Sequence, residues 1–444
     1  MSIVNENSLN ENRELVPISV KERLPVIDIL RGVAILGILL LNIQEYAFPH
    51  GFDRIYLETF PGIAGKAVYW GIHFLFQGRF STMLTILLGL GMAVQVTRAR
   101  EKGRSFSMVY ARRMFFLLLI GVFHDLFLWS GIILPIFAVT GFVLLFFQER
   151  KPKTLILWLI IFSLIPLVFV GVRVLTRPAP APAPEQAVVS AEDAQKQKEE
   201  KREKAGEAKR RKCDEIMTIY GEGSYPGMVR HRVTIFTKQT ISIIYVWGWF
   251  TVGVFLLGIW VWRKGILQDI EGHLRFLKRT LWFSLAVGLT GMSIFYLLTF
   301  VLTPSRALYR IIGGIVVRHV GTVFFTLFLM TAIVLLTRKE KWKRILMPVA
   351  AVGRMAFSNY VFQTLLCTIF FYSYGFGMFG KTGPVANLFI VFVVWGIQIP
   401  LSVWWSKRFR FGPVEWLWRS LTYGKRQPMK IFSHGLTRID TDKK

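Results

Sequence analysis

The sequence predicts an all-α, polytopic integral membrane protein, with about ten transmembrane helices and one extracytoplasmic insertion. Three observations carry that expectation. Apolar residues make up 53% of the 444 and aromatics 15%. Against them stand 55 Lys and Arg but 27 Asp and Glu, a formal net charge of +28. Apolar spans joined by basic loops produce this mixture, and an ordinary soluble domain does not. The third observation is that the basic residues gather in alternate connections between the apolar stretches.

The N-terminal tail, 1–25, is polar and mixed in charge through residue 22 and lacks a signal-peptide pattern, so the first apolar stretch, 26–44, is expected to direct insertion itself. Further stretches of roughly 20 apolar residues follow at 79–97, 113–131, 132–148, 154–175, 240–262, 281–302, 318–337, 346–372 and 385–405. Arg98, Arg100, Lys102, Arg104, Arg112 and Arg113 crowd the connection after the second. Arg150, Lys151 and Lys153 follow the fourth, Arg263, Lys264, Arg275, Lys278 and Arg279 the sixth, and Arg338, Lys339, Lys341, Lys343 and Arg344 the eighth. A basic tail begins at Lys407, after the tenth. The alternation places both termini in the cytoplasm and the chain in the inner (cytoplasmic) membrane. Residues 65–78 are apolar but short and suit a re-entrant or interfacial helix carrying His73. Five regions result: the tail 1–25, a bundle over 26–176, an insertion over 177–238, a second bundle over 239–405, and a basic amphipathic tail over 406–444.

The insertion opens with alternating Pro and Ala, Pro178 to Pro184, a stiff extended spacer. Its charged stretch from Gln186 to Lys212 has no apolar face and reads as a solvated helix outside the membrane. Cys213 lies in a polar stretch and Cys367 in an apolar one, which implies neither a disulfide framework nor a thiolate metal site. The charge speaks of anionic headgroups and topology, because no tight basic-aromatic module of the kind that reads nucleic acid is present.

Polar groups inside the apolar stretches are the candidates for chemistry. Asp28 and Arg31 lie three apart, hence on one helical face, and can pair. They form either an ion pair at the helix entrance or the start of a polar seam that continues through Asn42, Gln44, Glu45 and His50. An ionised group in a span costs about 3 kcal/mol on insertion scales unless it is paired or lines a watery cavity. His124 and Asp125 interrupt the almost wholly apolar run from Phe115 to Leu128. They are either a proton-handling pair or a structural histidine bonded to its neighbour. His319 reads as an interfacial anchor; His231, His273 and His434 read as solvated. No two histidines have the spacing of a helical metal pair, so no metal is expected. Gly89, Gly91, Gly121, Gly313 and Gly314 suit close helix packing. At the C-terminus, Phe411, Gly412, Pro413, Glu415, Trp416, Trp418 and Arg419 form either an amphipathic helix on the inner leaflet or a cradle in which Arg419 holds the phosphates of an acyl donor.

Motifs taken in order along the chain resemble the YeiB-like membrane proteins, a family known as a domain of unknown function. They comprise Asp28-x-x-Arg31-Gly32 through Asn42, Arg79-Phe80 with Leu88-Gly89-Leu90-Gly91, and Arg112-Arg113 through Gly121-x-x-His124 and Trp129. Tyr220 to Tyr225, Val352-Gly353-Arg354-Met355-Ala356-x-Ser358-Asn359-Tyr360 and Phe411-Gly412-Pro413-x-Glu415-x-x-Trp418-Arg419 complete the set. That family is similar in its first half to heparan-α-glucosaminide N-acetyltransferase, and more loosely to membrane acyltransferases of envelope glycans. The resemblance implies that Asn42 and His50 correspond to an Asn and a catalytic His, at shorter spacing. On the acyltransferase reading, substrate-binding roles are expected for Asp28, Arg31, Asp125, Arg354, Asn359, Glu415 and Arg419. One departure stands out: the family usually has Gly-Asp-Ile-Leu where this chain has Gly131-Ile132-Ile133-Leu134.

The function expected is acyl transfer from acetyl-CoA or another cytoplasmic acyl-CoA to an envelope glycan, a lipid or a small acceptor. His50 or His124 would be the general base, and Asn42 would orient the acceptor or the oxyanion. A transporter or flippase using the same seam is the alternative. Expected partners are membrane lipids, a glycan or small-molecule acceptor and a second copy in a homodimer, not nucleic acid.

Overall fold

The computed structural model describes residues 24–103, 105–176, 191–298 and 307–431. The N-terminal tail through residue 23, Arg104, the Pro/Ala spacer, residues 299–306 and the tail from residue 432 with His434 lie outside the described residues; the side-chain surroundings of Gly313 and Gly314 do too. Among the described residues the chain is all-helical, with one isolated bridge between Phe409 and Lys430. The helices are α1 Pro25–Ala47, α2 Asp53–Thr59, α3 Ile63–Phe76, α4 Arg79–Glu101, α5 Ser107–Phe123, α6 Ile133–Val143, α7 Pro152–Leu175 and α8 Ala191–Gly221. They continue as α9 Tyr225–Ile235, α10 Ile241–Arg263, α11 Leu274–Tyr296, α12 Ala307–Leu336, α13 Glu340–Arg354, α14 Ala356–Phe371, α15 Pro384–Arg408 and α16 Pro413–Tyr423.

Among the described residues four helical runs are long and apolar enough to cross a membrane: Pro25–Ala47, Ile63–Glu101, Val317–Leu336 and Pro384–Arg408. The number rises to six if two bent pairs each count as one span. This is a multi-pass membrane protein. Length and apolarity among the described residues thus support four to six spans rather than the ten expected. The stretches at 133–147 and 152–166 are apolar but short. The stretch 346–372 differs from a straight span. It is not one helix but two, α13 and α14, meeting at 81°. The helical ladder is interrupted because Glu415 captures the first free amides of α14, accepting from Phe357 N at 2.6 Å and Ser358 N at 3.1 Å. A carboxylate at a helix N-terminus satisfies orphan donors and meets the positive end of the dipole.

Helix α1 is the hub, packed against α3, α4, α13, α14 and α15. Small residues let the backbones touch. A Cβ on Gly32 would lie 2.0 Å from the Val349 carbonyl oxygen, and one on Gly353 1.8 Å from that of Asp28, where α1 crosses α13. Gly89 and Gly258 do the same for α4 and α10, against the carbonyls of Phe255 at 2.0 Å and Ile86 at 1.9 Å. Lipid offers apolar side chains as good an environment as a neighbouring helix does, so tight association rests on such close approach. Gly91 has another use: its nearest neighbour is the Arg31 guanidinium, 3.3 Å from where a Cβ would be.

The charged part of α8 is exposed, but its C-terminal turns are not. Cys213, Ile216 and Met217 pack against Phe48, Phe52 and Tyr56 near the end of α1, and Arg210 reaches Glu58 at 2.6 Å. Beyond it, Tyr225 Oη and Arg232 Nη1 both donate to the Phe127 carbonyl, at 2.7 and 2.9 Å. The Arg232 guanidinium is itself buried between the rings of Tyr220 and Tyr372. This clamp holds a π-helical turn, His124–Leu128, that interrupts the exit from α5.

Candidate functional site

Two cavities lie at opposite ends of α1 and share a wall. The first, about 250 Å³, is lined by the N-terminal half of α1, the C-terminal half of α4, the start of α5, the α13–α14 break and α16. Its polar rim holds five arginines, Arg31, Arg98, Arg113, Arg354 and Arg419, against the carboxylates Asp28 and Glu415, while Ile35, Leu87, Leu117 and Phe137 are among its apolar walls. The second, about 370 Å³, is lined by the C-terminal half of α1, the following loop, α3 and the stretch after the π turn. It is polar, with Asn42, Gln44, Glu45, His50, Asp53 and His73 on its surface. Ile38, Ile133 and Tyr360 line both cavities and divide them.

Each part is positioned by local chemistry. At the basic cavity, Arg31 pairs with Asp28 at 3.5 Å, one helical turn away. Arg113 stacks 4.1 Å over the Trp418 ring, and Trp418 Nε1 donates back to the Arg113 carbonyl at 2.9 Å, which seats α16 on α5. Arg354 donates to Ser406 Oγ at 2.9 Å, and Arg419 lies 4.7 Å from the Phe411 ring. A rim of guanidinium groups above apolar walls suits an anionic, phosphate-bearing head on an apolar or extended tail.

At the polar cavity, Gly78 takes φ +78° in the turn between α3 and α4, a conformation other residues resist. Arg79 is fully buried there and donates to the Gln77 and Phe74 carbonyls at 2.6 and 2.7 Å, capping the C-terminal end of α3. That end carries His73. Its Nδ1 lies 2.8 Å from the Tyr69 carbonyl, so Nδ1 carries the proton and Nε2 of the neutral ring is the accepting nitrogen. His50, at the mouth, is different. Its side chain is 80% exposed and sits 3.1 Å from Glu45, and hydrogen bonding and charge from that carboxylate raise its pKa to about 9. Gln44 is buried with neither amide atom partnered by protein.

The structure brings Asp28, Arg31, Arg354, Glu415 and Arg419 together at the basic cavity, and Asn42 with His50 at the polar one. It sets three other candidates apart from both. Asn359 spends its side chain on the Val352 carbonyl and Ser402, tying α13, α14 and α15 together. His124 and Asp125 are buried behind the shared wall. Thr364 gives its hydroxyl hydrogen to the Tyr360 carbonyl at 3.2 Å, so His124 Nε2 donates to Thr364 Oγ1 at 3.0 Å. Nδ1 is left facing Asp125 Oδ1 at 3.5 Å. The His124 ring stacks on Tyr360 at 5.1 Å. Asp125 Oδ1 also accepts from the Ile132 amide at 3.2 Å. Residues that sequence reasoning left without a role are Tyr360, Trp129, Arg98 and Arg113. Tyr360 and Trp129 stand within the family motifs, but nothing in spacing alone shows that one of them borders two cavities.

The model of a family described as protein of unknown function (DUF418) matches residues 261–425. Over 431 residues the chain is 30% identical to uncharacterized protein YxaH of Bacillus subtilis (strain 168), covering 94% of this chain and 98% of that one. It is 28% identical over 419 residues to uncharacterized protein YeiB of Escherichia coli (strain K12), covering 90% and 96% respectively. No solved structure matches.

Proposed function

The chain belongs to the YeiB-like DUF418 family, and from its paired cavities we propose that it is a membrane acyltransferase. In this reading an acyl-CoA enters the basic cavity from the cytoplasm and an acceptor hydroxyl or amine enters the polar cavity from the opposite side. The observation that carries it is the shared wall: two chemically unlike cavities abut at Ile38, Ile133 and Tyr360, so two ligands could meet there without either crossing the membrane. The arginine rim would hold the donor's phosphates, with Asp28 and Glu415 fixing Arg31 and the α14 N-terminus. Asn42 would orient the acceptor. His73 is better placed than His50 to take its proton, because a pKa near 9 leaves His50 protonated at neutral pH while His73 offers a neutral Nε2. Ten spans, cytoplasmic termini and an inner-membrane location belong to the same reading, in which the donor's cavity, with Arg98, Arg354 and Arg419 in its lining, faces the cytoplasm.

A transport reading has one feature in its favour. The 81° break between α13 and α14 places a half-helix N-terminus at the basic cavity, as discontinuous helices do in carriers. The deciding experiment uses purified protein in lipid discs with acyl-CoA of varied chain length. Binding is expected together with release of the free thiol by slow hydrolysis, water taking the acyl group in place of the acceptor. If the wild type neither binds nor consumes any acyl-CoA, the enzyme reading fails and flux of lipid-like solutes in vesicles becomes the assay.

A further inference from the structure

The Tyr360 hydroxyl is the most anomalous polar atom at the shared wall. Tyr360 is 4% exposed and its Oη has no hydrogen-bond partner, although a hydroxyl buried without one is costly. The surroundings hold it there. His124 stacks against its ring, and His124 is in turn fixed by Thr364, which also accepts from Tyr46 Oη at 2.9 Å. Gly131 passes so close that a Cβ would lie 2.8 Å from Tyr360 Oη and 2.5 Å from the Trp129 ring. The π turn, the clamp from α9 and a glycine loop thus converge on one hydroxyl that bonds to nothing in the protein, and the residue that bears it lines both cavities.

We propose that Tyr360 is a catalytic residue whose hydroxyl donates to the acyl oxygen of a thioester at the junction of the two cavities. The proposal rests on the acyltransferase reading and deepens it. A lone pair on the acceptor oxygen or nitrogen forms a bond to the acyl carbon, and the carbonyl π pair moves onto oxygen, where the Tyr360 O–H meets the developing charge. Collapse re-forms the carbonyl and breaks the carbon–sulfur bond, and the electron pair leaves with sulfur as a thiolate on the basic side. The acceptor's proton passes to a base of the polar cavity, His73 Nε2, and the thiolate takes a proton from solvent. A donor held ready for a charge that exists only during reaction explains why the hydroxyl is unpartnered at rest.

The test compares wild type with Tyr360→Phe in lipid discs, measuring thiol release and thermal stability. Removing one oxyanion donor lowers kcat by about 100-fold or more. KM for acyl-CoA should stay within about two-fold, because ground-state binding does not use this bond. The midpoint of unfolding should hold or rise, since the deleted oxygen has no partner to lose. Wild-type kcat in the variant would overturn the proposal and leave the acyltransferase reading standing. A rate loss accompanied by a lower midpoint would assign the hydroxyl to structure and also overturn it. A wild type inert toward every acyl-CoA would remove the reading and this proposal together.

Discussion

Glu45 in the last turn of α1 and His50 in the loop just after it form an ion pair, and the carboxylate sets the state of the imidazole. Because the folded pKa, about 9, lies above the usual 6.5, the pair's contribution is complete below pH 6.5 and is lost as pH rises through about 9. Nuclear magnetic resonance of labelled histidine should find His50 titrating near the upper value, and Glu45→Gln should return it toward 6.5; an unmoved midpoint would show that Glu45 is not the cause. Ile132 is another residue set by its neighbours. It is the only non-glycine among the described residues with positive φ, +51°, a conformation a β-branched side chain resists. Asp or Asn tolerates that backbone better, and the Asp125 carboxylate holds the Ile132 amide. Ile132→Asn should therefore raise stability by about 1 kcal/mol, visible as a higher unfolding midpoint in detergent. The sequence exposed Asp28, Arg31, Asn42 and His50 because polar residues in apolar runs announce themselves. Gln44 belonged to the same legible seam, whereas Tyr360 is ordinary by type, and only three-dimensional packing shows the polar atoms of both left without protein partners.

Among the elements, α1 and α4 were legible from length and apolarity alone, and so were the two helices that flank the α13–α14 pair. The break at Met355 was not. A largely apolar run from 346 to 372 reads as one span, and the interruption comes from Glu415, some sixty residues on. Helix α8 shows the same limit: Lys212 and what precedes it lack an apolar face, yet Cys213, Ile216 and Met217 immediately beyond are packed. Glycine spacing was more informative. Gly89 meets the α10 backbone and its counterpart Gly258 meets that of α4, so Gly258→Leu must force two helices apart. Overpacking of this kind costs about 3 kcal/mol or more, and the variant should lose its monodisperse peak in size-exclusion chromatography. A variant that elutes as wild type would mean the helices can slide, and the crossing would not be fixed there.

At the scale of the whole molecule, α1 runs about 35 Å at 1.5 Å per residue over its 23 residues, close to the thickness of a bilayer's hydrocarbon core. Its two halves face different cavities, so the apolar interior between them is reduced to the layer of Ile38, Ile133 and Tyr360. That thinness has an electrical consequence. With a solvated vestibule on either side, most of the membrane potential falls across this layer instead of across the full bilayer. A reaction that releases its proton into the polar vestibule and takes one up on the basic side carries one positive charge across the layer per turnover. The associated work is about 2.3 kcal/mol for each 100 mV. Turnover in vesicles should then slow when the basic side is made negative by a potassium diffusion gradient and quicken when it is made positive. A rate indifferent to voltage would place the bond exchange outside the field, away from Tyr360.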